Sequence, residues 1–190
     1  MNLFVLDNNP VIAAQLQCNK HIPKMAVESA QMLSTVHRML DGRLTRAPSK
    51  SGKTMSKHWI HPDPALDKVL YKAVHMHHPC TVWSAESGAN YDWHYEHFIA
   101  LCDEYTYRYG KIHATDKLLR GVLKNRPFQI KSGSFTPQPL AMKANPECIN
   151  YRDIVGSYRN FYQTKQHRFK MVWTSRPVPE WFVYQNNKMG

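Results

Sequence analysis

Apolar residues in this chain recur mostly at three- and four-residue steps, the spacing of one helical face. The clearest run is Ala26, Ala30, Leu33, Val36 and Leu40. It predicts a helix with Pro23 in its first turn, where a missing N–H costs nothing, and Gly42 as its C-cap. Glu28, Gln31, Thr35 and Arg38 fall on a different face. A longer helix opens at Ser87, carries Tyr91, Tyr95, Phe98, Leu101, Cys102 and Tyr105 as its stripe, and stops at Gly110. Shorter helices are expected in "VIAAQLQC" after the "NNP" turn, in "TDKLLRGVLKN" and in "YRDIVGSYRNFYQTKQHRFKMVW". Another is expected in "PALDKVLYKAVHMH", with Pro64 near its start and Ala65, Val69 and Val74 as core candidates.

Elsewhere the helical period fails. "LFVLD" (Leu3 to Asp7) reads as a strand or a packed arm, and "HPCTVW" as a short apolar piece after a turn. Residues 43–63 have no apolar period and many turn formers. Arg43, Arg46, Lys50, Lys53 and Lys57 meet no acid there before Asp63, so the stretch reads as a mobile basic loop. Residues 126–148 form a proline-rich surface connection, and "TSRPVPEWFVYQ" an extended aromatic tail. No internal repeat is visible. The pattern predicts a mainly α fold, with residues 1–190 as a single compact helical domain.

Composition adds three constraints. With 43% apolar and 12% aromatic residues, 190 residues can bury a core. The 25 Lys and Arg exceed the 14 Asp and Glu by 11, a balance that points to a polyanionic partner, with DNA or another nucleic acid first. Cys18, Cys80, Cys102 and Cys148 lie far apart, which reads as free thiols in a reducing compartment. No run approaches the roughly 18 apolar residues of a membrane span. "MNLFVLDNNP" lacks the basic and apolar regions of a secretion signal, so a cytoplasmic setting is expected.

Several motifs bear on chemistry. "SGKT" (Ser51 to Thr54) resembles the end of a phosphate-binding loop, but Ala47 stands where the leading glycine belongs and no strand precedes it. His58, His61, His75, His77, His78, His94 and His97 are candidate metal ligands, yet no HExxH or CxxC accompanies them, and no metal or other cofactor is expected. From Tyr151 to Arg176, Tyr151, Tyr158, Phe161, Tyr162, Phe169 and Trp173 alternate with Arg152, Arg159, Lys165, Arg168 and Lys170. Rings that stack on bases and cations that hold phosphates make such a pattern a candidate nucleic-acid surface, with about half the rings in the core. Glu28, near His21 and Lys20, is either a solvated charge or a proton-transfer group.

The spacing H-x6-E at His21 and Glu28, within "KHIPKMAVESAQML", resembles the helix of the small phage pyrimidine-dimer DNA glycosylases of the endonuclease V type. "HPCTVW" followed by a long helix ending "CDEYTYRYGKIH", and the closing "RPVPEWFVYQ", resemble that family's His-aromatic segment, acidic helix and aromatic tail. The whole chain is also similar to uncharacterised tailed-phage proteins that open "F-x-L-D…P…C-D-K-H", with Asn19 where those have Asp.

The resemblance implies a basic, mainly helical DNA-base N-glycosylase with abasic-site lyase activity, acting in a host cytoplasm on phage or host DNA. In that family an N-terminal α-amine attacks the sugar C1′ and a glutamate assists. Carried over, Glu28 and His21 are the catalytic candidates, with Met1 as the amine, because Asn2 is too large for efficient removal of Met1. An α-amine ordinarily has a pKa near 7.7–8.0, so roughly a tenth to a fifth is neutral at pH 7. Lys20 or Lys24 with a depressed pKa could serve instead, or Glu28 could activate water. The expected nucleic-acid contacts are Lys20, Lys24, Arg38, Arg108, Lys111, His113 and the five cations from Arg152 to Lys170, with Trp83, Trp93 and Tyr107 as stacking candidates. A second reading is a non-enzymatic binder of nucleic acid or a signalling nucleotide, of a counter-defence or regulatory kind, and a third is a metal hydrolase built on the histidines.

Overall fold

A computed structural model describes residues 1–49 and 51–185; Lys50 and the last five residues lie outside them. The chain is mostly helical with one two-stranded sheet. Seven α-helices run in order: α1 (Pro10–Gln15), α2 (His21–Asp41), α3 (Pro64–Val69), α4 (Pro79–Glu86), α5 (Gly88–Tyr109), α6 (Ala114–Leu123) and α7 (Ile154–Gln163). The strands β1 (Arg43–Pro48) and β2 (Met55–Ile60) follow α2. No helix among the described residues is long and apolar enough to cross a membrane.

Local chemistry sets the helix ends. Asn9, Asp63 and Ser87 accept the first free N–H groups of α1, α3 and α5. Gly110 ends α5 at φ 65, a left-handed cap that a side chain would strain. Gly42 ends α2 in an extended conformation and is needed for space: a Cβ there would lie 2.4 Å from the Arg38 carbonyl oxygen and 2.9 Å from that of Ile60.

The long helices α2 and α5 pack on each other, with α1 on α5, α4 against both, and α6 on α2. Ala26, Ala30, Leu33 and Val36 of α2 and Tyr91, Phe98, Leu101 and Cys102 of α5 are fully buried, as their spacing predicts. Leu40, Tyr95 and Tyr105 are partly buried beside them. "LFVLD" is a packed arm, with Leu3, Phe4, Val5 and Leu6 all buried. All four cysteines are free and buried.

Two histidines pin this core through polar contacts. Ser84 donates to the Cys80 carbonyl (2.7 Å), so at 2.7 Å from His94 Nδ1 it accepts. His94 Nε2 then accepts from the Ser29 hydroxyl, also at 2.7 Å. His97 Nδ1 lies 2.9 Å from the Pro10 carbonyl and donates to it, while Nε2 accepts from the Gln17 amide at 3.3 Å. Burial holds the pKa of His94 well below the ordinary value and lowers that of His97 to about 4. Their tautomers are committed to structure, which removes both from the metal candidates.

Three expectations about elements are corrected. Residues 43–63 are not a featureless loop: β1 and β2 pair antiparallel from Arg43 opposite Ile60 to Pro48 opposite Met55. The "SGKT" motif is the exposed tip of this hairpin, with Gly52 at φ 69. "HPCTVW" is helical from Pro79, with His78 as its cap. The helix expected in "PALDKVLYKAVHMH" ends at Val69 with Ala65 exposed, and Leu70 supplies its core contact.

Arg38 explains the early stop. It is 5% exposed and donates to the carbonyls of Tyr71, Trp59, Asp67 and Leu70 and to the Asp67 carboxylate. Carbonyls in a continuing helix are already taken by N–H groups four residues on, so the chain must leave the helix to serve the guanidinium.

Candidate functional site

The site begins with Asn2. Its side-chain oxygen accepts the N–H groups of Leu3 (2.8 Å) and Phe4 (3.1 Å), and its amide donates to the Ala141 carbonyl (2.9 Å). The first residues are thereby folded into a fixed turn, with Phe4 at φ 49, a conformation rare for a residue with a side chain. This turn carries the Met1 amine to 3.6 Å from Glu28 Oε2. Lys24, one turn before Glu28, lies 3.5 Å from Oε1.

Glu28 sits two turns along α2 from His21, so both face the same side. That side closes one wall of a hollow of about 440 Å³. Met1, Asn2 and Phe4 form another wall, and Phe161, Lys165, Arg168 and Phe169 a third. Glu28 is the only acid among the lining residues, against Lys20, Lys24, Lys165 and Arg168. Lys20 Nζ lies 4.6 Å from the centre of the Phe169 ring and Lys165 Nζ 3.4 Å from that of Phe161. Cation–π contact holds both ammonium groups at the rim with few acids to neutralise them.

His21 is neutral here. Burial, then Lys24, Lys165 and Lys20, pull its pKa down to about 3. Its ring stacks on Phe4 at 4.9 Å and meets the edges of Tyr162 and Phe169. Its Nδ1 lies 2.7 Å from the Tyr162 hydroxyl, which accepts the Cys18 N–H and has its own proton to give. The ring proton therefore sits on Nε2, and His21 is an oriented neutral donor, not a cation. Burial, then Arg168, lowers the pKa of Lys165 to about 8.

A second hollow of about 670 Å³ adjoins through Lys20 and is lined by Lys111, Lys170, Tyr105 and Tyr109 among others. Lys20, Lys24, Lys111, Lys165, Arg168 and Lys170 thus form the rims of two neighbouring hollows. Tyr107 is 56% exposed, but its ring lies under the Arg176 guanidinium and its hydroxyl donates to the Ser175 carbonyl.

The other expected contacts are structural or lie elsewhere. Arg38 is buried among carbonyls, as described. Arg108 is buried and donates to Glu104 (2.6 Å), Asn19 and the Gln15 carbonyl. A phosphate reaches neither without dismantling the core. Trp83 and Trp93 are 3% and 8% exposed and pack edge to face, their N–H groups donating to the Thr136 and Asn8 carbonyls. No base can stack on them.

His113 caps α6, accepting from Thr115 N–H, and packs against Tyr105. Arg159 donates to the Leu6 carbonyl and pairs with Asp7 at 3.7 Å. Arg152 is exposed. Of the six rings from Tyr151 to Trp173, Tyr158, Phe161, Tyr162 and Trp173 are core, Phe169 borders the hollow, and Tyr151 is 85% exposed.

Two features are not visible in the sequence. Lys165, one of the expected nucleic-acid contacts, does line the hollow, but only its half-buried place softens its pKa. His78 was read only as a possible metal ligand. Its pKa is lowered by burial and then by the Met1 amine and His75, while the Met1 backbone and Glu28 oppose the shift, so it borders the Met1–Glu28 pair. The "KH" before Pro23 drew attention to Lys20 and His21; nothing comparable in the sequence marks Lys165 or His78.

Comparison with protein-family models, with curated proteins and with solved structures finds no match.

Proposed function

We propose that this protein is a DNA-base N-glycosylase with abasic-site lyase activity, with Glu28, His21 and the Met1 amine at its centre. The observation that carries this reading is the Glu28 carboxylate 3.6 Å from the α-amine, inside a hollow where it is the only acid among four cations and three phenylalanine rings. A nucleotide turned out of the helix would place its sugar between amine and carboxylate, its base toward the half-buried Phe169, and its phosphates on the lysine rim. The unstacking costs a few kcal/mol and is recovered by contacts in the hollow.

In the proposed step the neutral amine attacks C1′, and the C1′–N bond breaks. Its electron pair leaves with the base, which takes up a proton. Glu28 receives the proton shed by the attacking nitrogen and passes it to O4′ as the C1′–O4′ bond opens, leaving a protonated imine. Loss of a 2′ proton then expels the 3′ phosphate and cleaves the strand. The lone carboxylate suits proton shuttling, and the cations suit a doubly charged backbone.

The test is Glu28→Gln, read in both binding and turnover. Affinity for a duplex carrying an abasic site is expected to hold or rise, because a carboxylate near phosphate repels it. Strand cleavage should fall roughly 100-fold or more. Equal affinity with no cleavage by either protein would favour the non-enzymatic nucleic-acid or nucleotide binder.

A further inference from the structure

At the opposite end of α2, two buried imidazoles each leave one ring nitrogen without a hydrogen-bond partner. His37 is 2% exposed and His61 5%, and neither His37 Nδ1 nor His61 Nε2 finds a hydrogen-bond partner. Asp41, one turn after His37, lies 3.7 Å from His61 Nε2. One ligand atom from each of the three lies within 4.8 Å of the others.

The surroundings prepare these atoms. Tyr91 gives its only hydroxyl proton to the Leu123 carbonyl (2.9 Å), so at 2.8 Å from His37 Nε2 it must accept. Nε2 therefore carries the ring proton, and Nδ1 presents a bare lone pair. The Asp41 oxygens accept the main-chain N–H groups of Phe128 (2.8 Å) and Gln129 (2.9 Å), which fix the carboxylate and leave it further lone pairs. Outer partners of this kind orient ligands at known metal sites.

We propose that His37, Asp41 and His61 bind one first-row divalent cation of the zinc class. Two imidazole nitrogens and one carboxylate oxygen match the three-ligand zinc set with an open fourth position, and disfavour calcium and magnesium, which prefer oxygen. A tetrahedral ion with bonds of about 2.1 Å would hold the ligand atoms about 3.4 Å apart, so atoms now within 4.8 Å of one another need close by about 1.4 Å at most.

Two hollows of about 460 and 500 Å³ meet at Asp41 and His61, giving the ion a way in and room for a water. His61 Nδ1 now accepts the Asp63 N–H at 3.1 Å. Ligation through Nε2 moves the ring proton to Nδ1 and releases that N–H at an exposed turn, where water replaces it. The bound ion ties the end of α2 to the end of the hairpin.

The experiment strips the protein with a chelator and titrates it with Co²⁺ and then Zn²⁺. One equivalent of Co²⁺ should develop visible d–d absorption, one Zn²⁺ should displace it, and the melting temperature should rise. His61→Gln and Asp41→Asn should each weaken binding about 100-fold, while His77→Gln in the exposed histidine run should not. If a variant does not fold, zinc-edge X-ray absorption of the wild-type complex decides: two imidazoles and light-atom ligands support the site, and sulfur in the shell overturns it. Absent stoichiometric uptake, or uptake unchanged in folded His61→Gln, also overturns it.

Discussion

Glu28, His21 and Met1 were named together only through the resemblance to the glycosylase family; the seven-residue step accounts for His21 and Glu28 sharing a helix face, and the place of Met1 is set by the Asn2 turn. What the sequence withheld was the fate of each cation. A guanidinium on a helix normally reaches water, and only the carbonyls of residues distant in sequence show that Arg38 does not. Lys165 differs from other lysines only through tertiary burial. With its pKa near 8, it should be the most reactive lysine side chain toward limited reductive methylation at pH 8. Peptide mapping checks this, and labelling of Lys165 no faster than exposed Lys53 would contradict it.

At the scale of elements, α2 and α5 were readable to within a residue or two, because each buries one regular stripe and ends at a glycine. The hairpin was not. Its strands do alternate between exposed and half-buried positions, but the half-buried ones include Thr45, Ala47, Ser56 and His58 and the exposed ones Leu44, Met55 and Ile60, so no apolar alternation marks them in the sequence. The junction of α2 with the hairpin rests on Arg38 and Gly42. Arg38→Met should cost about 3–5 kcal/mol, because the Asp67 carboxylate and four carbonyls lose their donor. Gly42→Ala should cost about 2 kcal/mol through its clash with two carbonyl oxygens. Urea denaturation measures both, and a loss below about 1 kcal/mol for Arg38→Met would show that the guanidinium is dispensable.

For the molecule as a whole, charge and buried histidines set the response to solution conditions. The folded-state pKa values of His21 and His97 are about 3 and 4, below the ordinary 6.5, each through burial first. The unfolded chain therefore binds more protons between those values, so stability is full above about pH 6.5 and falls as pH drops toward 4. At pH 5 each ring should cost roughly 2 kcal/mol. Urea midpoints at pH 7 and pH 5 check this, and equal midpoints would contradict it.

The net charge of +11 names no location; Lys20, Lys24, Lys111, Lys165, Arg168 and Lys170, scattered along the sequence, come together at the Glu28 hollow and its neighbour only in the fold. If DNA lies across both, log affinity should fall linearly with log salt, and replacing Lys20 and Lys111 together should reduce the slope by about 2. An unchanged slope would place the DNA elsewhere.

The central claim is that the α-amine beside Glu28 is a nucleophile toward a sugar. Incubation with duplex DNA containing one abasic site, in the presence of borohydride, tests it most directly. A covalent adduct that maps to the Met1 peptide and disappears when the amine is blocked is the predicted result. No adduct, or one that forms equally well with the amine blocked, would contradict it.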